Sequence, residues 1–124
     1  MKQIIITGSE GYLGSSLCKF FKKKYKILKL DIKLGHDLTD EKFVKKWFKD
    51  NKSSYLINCF ALNDHVNSKR KNNTLFEFPL SSFSNYLNVN LTSLFSVCRE
   101  FARNNKQGSI VNFSSYLGLV SPRP

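Results

Sequence analysis

Gln3-Ile4-Ile5-Ile6-Thr7-Gly8-Ser9-Glu10-Gly11-Tyr12-Leu13-Gly14 is the stretch that decides how this chain folds. The β-branched run over 3–7 shows no polar alternation, the pattern of a strand buried on both faces. Glycines at 8, 11 and 14 then mark a turn, and Leu13, Leu17, Phe20 and Phe21 recur at helical spacing over 12–24. Strand, glycine turn and helix in that order make a cradle for a pyrophosphate, held by backbone N–H groups at the helix start. In such a cradle Gly8 permits the tight bend, Gly11 keeps side chains away from the phosphates, and Gly14 lets the helix press on the strand. Ser9, Tyr12 and Leu13 complete the turn and join the candidate cofactor-binding residues.

Outward from the turn, Tyr25 to Asp31 reads as a second strand. Asp31 stands at its end, 17 residues beyond Gly14. An acid there accepts hydrogen bonds from the adenosine ribose and repels a 2′-phosphate, so NAD is expected over NADP, although Lys33 lies close by. A short extended piece at His36-Asp37-Leu38 leads to Thr39, which is expected to cap a helix over 40–51. Phe43, Val44, Trp47 and Phe48 form the apolar side of that helix, and Asp40 and Glu41 favour its positive end. A third buried strand follows at 55–60, then a polar loop over 63–80. From Ser82 a long helix carries Phe83, Leu87, Leu91, Leu94, Phe95, Cys98 and Phe101 on one side, and 109–113 is the last strand. Short apolar runs alternating with helices predict an α/β fold. It is a Rossmann-type doubly wound parallel sheet, one domain over 1–124, truncated after about the fifth strand.

Composition sets the outer limits. With 124 residues, 41% of them hydrophobic, the chain holds enough apolar material for a single core. No run approaches the roughly 18 apolar residues of a membrane span, and the start turns polar too soon for a signal peptide. A cytoplasmic protein without membrane contact is the expectation. The net charge of +11 comes mostly from lysines strung through 19–52, on the polar faces of amphipathic segments. No aromatic residues interleave with them in the manner of RNA-binding modules, so nucleic acid is not expected as a partner. Cys18, Cys59 and Cys98 form no Cys-x-x-Cys pair and read as reduced thiols. His36 and His65 lack metal-ligand company, so no metal site is expected.

The motifs, taken in order, resemble those of the short-chain dehydrogenases/reductases. They are Thr-Gly-x-x-Gly-x-x-Gly at 7–14, Asp31, Asp37-Leu38-Thr39-Asp40, Asn58-Cys59-Phe60-Ala61, Asn88-Val89-Asn90-Leu91, and Gly108 to Ser115. The resemblance implies an NAD-dependent oxidoreductase that moves a hydride between the nicotinamide and a small alcohol or carbonyl substrate. It implies that Asp37 and Leu38 border the adenine and that the backbone of Asn58, Cys59, Phe60 and Ala61 passes along the cofactor. It also implies that Asn90 helps hold a proton-relay water, and that Ser115, rather than Ser114, bonds the substrate oxygen. Cys59, Phe60 and Ala61 depart from the family's commonest residues at those places. The complete protein is compatible with a homo-oligomer.

Two features leave the class of substrate open. The Gly-x-x-Gly-x-x-Gly form is typical of the extended branch, which handles nucleotide sugars, whereas Asn-Val-Asn-Leu and the Ser-Ser motif look classical. Extended-branch epimerases or dehydratases therefore remain a rival reading, as does a non-catalytic dinucleotide-binding module. The family's acid/base is a Tyr whose pKa is lowered by a Lys four residues later, and its usual place falls just past Pro124. Tyr25 and Lys29 alone show that spacing, within the second strand, so the chain as given is expected to be incomplete for catalysis.

Overall fold

The structure is a computed structural model that describes residues 1–63 and 74–120. His65 and the Asn-rich stretch of 67–73 lie outside the described residues. Strand β1 (Gln3–Thr7) is followed by α1 (Tyr12–Phe21), β2 (Lys26–Leu30), α2 (Glu41–Asp50) and β3 (Tyr55–Asn58). A helical stretch comes next: α3 (Leu80–Leu87), a π-helical segment over Asn88–Thr92, and α4 (Ser93–Asn104). Strand β4 (Ser109–Asn112) follows.

All strand pairs are parallel, and the sheet order is β2-β1-β3-β4. The chain steps from β1 to one side, then returns across it to β3. That reversal opens a crevice at the carboxyl ends of β1 and β3, where doubly wound sheets bind their ligands. Ile5 of β1 is fully buried against Leu30, Leu56, Val44, Phe48, Val97 and Phe101, on the face covered by α2 and α4. Ile4 and Ile6 face the other way, onto Cys18, Leu17 and Phe21 of α1. With helices on both faces, the sheet is the doubly wound α/β arrangement, and the apolar run 3–7 is buried as its composition requires.

The described sheet has four strands. Residues 36–38, expected as an extended piece, add no rung to it: the link from β2 to α2 is a 3-10 turn over Ile32–Leu34 and a bend. The cap of α2 is Asp40 rather than Thr39. Its carboxylate accepts from the N–H of Lys42 at 3.1 Å and of Phe43 at 3.2 Å, while Thr39 gives its hydroxyl to Asp37 at 2.6 Å. Asp40→Ala is expected to cost about 1 kcal/mol of stability, read as a lower urea midpoint with unchanged slope.

Helix α1 ends at Phe21, earlier than expected, and turns Leu17, Cys18 and Phe21 inward while Phe20 is exposed. The long helix differs more. Phe83, Leu87, Leu91 and Phe95 point outward, and Ser93, Val97, Glu100 and Phe101 point into the core. Helix α3 buries none of its residues, so its apolar side chains stay exposed, and the π-helical segment joins it to α4, which does pack on the sheet. Ser93 seals this bulge, its hydroxyl donating to the carbonyl of Asn88 at 2.8 Å. The buried carboxylate of Glu100 is held by Arg99 at 3.2 Å and Arg103 at 3.0 Å. Arg99 also reaches Glu41 at 3.1 Å, linking α4 to α2.

Candidate functional site

The glycine turn is shaped by what surrounds it. Gly8 has φ +64°, a left-handed conformation that disfavours any side chain, and a Cβ there would lie 2.6 Å from the backbone of Cys59 and Phe60. A Cβ on Gly14 would collide with the Gly8 carbonyl. These two glycines are therefore required by the fold itself. Gly11 differs: it is exposed, its φ is −77°, and a Cβ would meet only the Gly8 oxygen, at 3.3 Å.

Gly11 is also the N-cap of α1, and no side chain caps that helix end. An α-helix leaves its first N–H groups without intrahelical partners, and here Tyr12, Leu13 and Gly14 stand in that first turn. An uncapped helix start beside a cleft attracts an anion. The contrast with the Asp40-capped start of α2 is internal to the molecule.

The cleft has a volume of about 310 Å³. Among the expected cofactor residues, Gly8, Gly11, Asp31, Asp37, Leu38, Cys59, Phe60 and Ala61 line it. Ser9, Tyr12, Leu13, Gly14 and Asn58 do not. Ser9 is buried beneath the turn, its N–H donating to the Leu30 carbonyl at 3.4 Å. Asn58 is engaged inside the sheet. Its Oδ1 accepts from the Thr7 hydroxyl at 2.9 Å and its Nδ2 donates to Asn112 Oδ1 at 2.8 Å. Thr7, Asn58 and Asn112 share one register, so a polar row crosses three strands just beneath the crevice.

Asp31 is buried and does more than end a strand. One carboxylate oxygen accepts from the N–H of Glu10 in the glycine turn at 2.9 Å, the other from Lys33 at 2.8 Å. The acid at the crevice thus also fixes the turn. Each oxygen keeps a further lone pair for an incoming hydroxyl. Asp37 lies on the cleft wall, with one oxygen accepting from both the N–H and the hydroxyl of Thr39. Leu38 lines the cleft while packing into the core.

His36, read from sequence as the start of an extended piece, is part of the same wall. Its Nδ1 accepts from the Asp31 N–H at 3.3 Å, and its ring stacks on Phe43 at 5.6 Å. Thr39 and Val89, which stand within motifs, also line the cleft, as do Ile32, Leu62 and Ser93, which belong to none. They arrive there through tertiary packing, which spacing along a chain does not encode.

Asn90, in the π-helical segment, grips the backbone beyond β3. Its Oδ1 accepts from the Leu62 N–H at 2.6 Å and its Nδ2 donates to the Leu62 carbonyl at 3.0 Å. A polar residue on this helix is thereby explained as a clamp on the cleft wall. Asn90→Ala is expected to lower stability by about 1–3 kcal/mol, since both Leu62 groups lose their partner; equilibrium unfolding in denaturant measures it. Ser115 follows β4, next to β3 in the sheet, and does not line the cleft.

Burial disfavours the charged form of all three thiols. Burial pushes Cys59 up to about 11, helped by nearby Cys18, and burial also raises Cys18 and Cys98. All three are free. No cluster of His, Cys, Asp and Glu among the described residues is fit to hold a metal. Among them, too, no helix is long and apolar enough to cross a membrane. Tyr25 packs between Phe21 and Tyr55, with ring centroids 5.6 and 5.7 Å away, at the end of the sheet opposite the cleft.

Comparison with known proteins agrees with this geometry. A family model described as enoyl-(acyl carrier protein) reductase matches residues 12–123. A crystal structure of a small-chain dehydrogenase superposes with a TM-score of 0.81 at 19% identity, covering 98% of this chain and 64% of that one. A short-chain dehydrogenase from Leptospira borgpetersenii with bound NAD⁺ gives 0.80 at 21% identity, covering 98% and 54%. A small-chain dehydrogenase in complex with NADPH gives 0.76 at 20% identity, covering 94% and 52%. The chain therefore spans between about half and two thirds of the length of these structures. No curated protein matches the sequence. With all but its two ends matched by the family model, and its parallel sheet shared with these dehydrogenases, the chain belongs to the short-chain dehydrogenase/reductase family.

Proposed function

We propose that the chain is the NAD-binding part of an oxidoreductase that moves a hydride between the nicotinamide and an alcohol or carbonyl carbon. The observation that carries this reading is the uncapped start of α1 at the strand reversal, with the Asp31 carboxylate beside it. A dinucleotide fits these residues. Its pyrophosphate takes the free N–H groups of the first turn, and its adenine takes the apolar wall of Ile32, Leu38, Phe60 and Val89. The adenosine ribose meets Asp31, whose charge disfavours a 2′-phosphate.

The nicotinamide, when bound, supplies the hydride chemistry. The protein's part is to hold and orient it. Asn90 fixes the segment from Cys59 to Leu62 along which the cofactor lies, and Ser115 bonds the substrate oxygen. No tyrosine of residues 1–124 is assigned as the general acid. The Gly-x-x-Gly-x-x-Gly spacing favours a second reading, a nucleotide-sugar epimerase or dehydratase, which begins with the same hydride step.

Calorimetric titration of the chain with NAD and NADP tests the cofactor reading. Saturable NAD binding, tighter than NADP, is expected. Absence of saturable binding by either would show that the glycine turn is only a structural turn.

A further inference from the structure

Residues 19–29, Lys-Phe-Phe-Lys-Lys-Lys-Tyr-Lys-Ile-Leu-Lys, hold six lysines and no acid. The fold lays them along one border of the molecule, formed by the end of α1 and by β2. Among the described residues β2 has one neighbour, β1, and is a sheet edge. The link from β2 to α2 runs only from Asp31 to Asp40 and sends no strand along that edge.

Its hydrogen bonds show which residues look outward. The Lys26 N–H donates to the Lys2 carbonyl at 2.9 Å, and the Leu30 carbonyl accepts from Ser9 at 3.4 Å. In a parallel strand the N–H and C=O of one residue point the same way, and those of the next residue point oppositely. Lys26, Leu28 and Leu30 therefore turn their backbone toward β1, and Ile27 and Lys29 turn theirs to the open side. There a groove of about 540 Å³ runs between α1 and the edge, bordered by Lys19, Lys22, Tyr25, Ile27 and Lys29. Glu10 is its one acid and already pairs with Lys29 at 3.5 Å. Lys19 and Lys22 have no ion-pair partner among the described residues. The groove shares no lining residue with the dinucleotide cleft.

We infer that this border docks an acidic segment of another protein, which adds to β2 as an extra parallel or antiparallel strand. Its backbone pairs with Ile27 and Lys29, and its carboxylates meet Lys19 and Lys22. Two open backbone pairs at strand spacing call for a polypeptide, because only a peptide offers alternating N–H and C=O groups to match. The lysines select an acidic one. They also bar a second copy of this chain, whose own β2 border would bring the same charges face to face.

The test is fluorescence anisotropy with a labelled octapeptide of alternating Glu and Val, at low salt, against the whole chain. Saturable binding is expected. It should weaken about tenfold or more in Lys19→Glu/Lys22→Glu, a pair of exposed sites whose reversal leaves the circular dichroism unchanged. The same peptide N-methylated at alternate residues keeps its charge, loses its strand edge, and should also bind about tenfold more weakly. Equal binding of the N-methylated peptide would overturn strand addition. Equal or tighter binding of an oligothymidylate of the same charge would make the groove a phosphate site instead. No saturable binding of the peptide would reduce the lysines to guards of an exposed edge.

Discussion

Gly11→Val is expected to lose dinucleotide binding by a factor of about 100 or more while its unfolding midpoint falls much less than that of Gly14→Val. The two halves of this outcome come from different neighbours. Toward the protein, a Cβ at Gly11 meets one backbone carbonyl at 3.3 Å and otherwise open space, so the Gly8 carbonyl must give by a few tenths of an ångström, far less than the clash at Gly14 demands. Toward the cleft, the branched side chain stands where the backbone of the first helical turn meets phosphate, displacing charge-assisted hydrogen bonds worth about 1.5–3 kcal/mol each. Losing even two of them gives the stated factor at about 1.4 kcal/mol per tenfold. Gly14→Val is the control with the opposite profile. Its Cβ lands on the Gly8 carbonyl, so the variant unfolds at lower denaturant whether or not cofactor is present. Paired titration and unfolding of both variants separates the roles. If Gly11→Val still binds NAD as the wild type does, the pyrophosphate does not sit on this turn.

Asp31→Ser is expected to narrow or erase a preference for NAD over NADP, chiefly by improving NADP. A like-charge contact at about 4 Å costs about 1 kcal/mol in water and about 4 kcal/mol at an effective dielectric near 20. The wild type should then favour NAD between about five-fold and several hundred-fold. The structure adds a second effect. The Asp31 carboxylate accepts from Glu10 and Lys33, and a serine hydroxyl replaces at most one of those bonds. The variant should therefore also lose about 1–3 kcal/mol of stability, and titrations belong well below its melting temperature. Wild-type protein that binds NADP as tightly as NAD would mean that Lys33 outweighs Asp31, and the cofactor assignment would fall.

What could be read from the chain alone was what local pattern encodes. The run Ile4-Ile5-Ile6 demanded burial on both faces, and the structure gives Ile5 to one core and its neighbours to the other. Asp31 was placed at the crevice by its position after a strand. Its second task, pinning Glu10, is a contact between residues 21 apart and left no trace in spacing. Asn58 looked like a lining residue because it belongs to a motif. Its amide is instead taken up by Thr7 and Asn112, partners that only strand pairing brings together. The helix from Ser82 showed one apolar stripe, yet periodicity assumes an unbroken helix packed along its length, whereas a π-helical segment interrupts it at Asn88–Thr92 and only the part beyond buries side chains.

The strand order also sets a timetable. Ile5 is wedged between Leu28 and Leu56, so β1 is made before both of its neighbours in the sheet and waits for them. At about 5–20 residues per second, roughly 3–10 s of synthesis separate Ile5 from Leu56. Throughout that interval a β-branched run without proline or charge has no sheet to join, and long-range parallel pairing is slow to form even once the partner exists. The residues that later seat the glycine turn thus spend that interval as a sticky nascent segment, and yield on expression should rise when a holding chaperone is abundant.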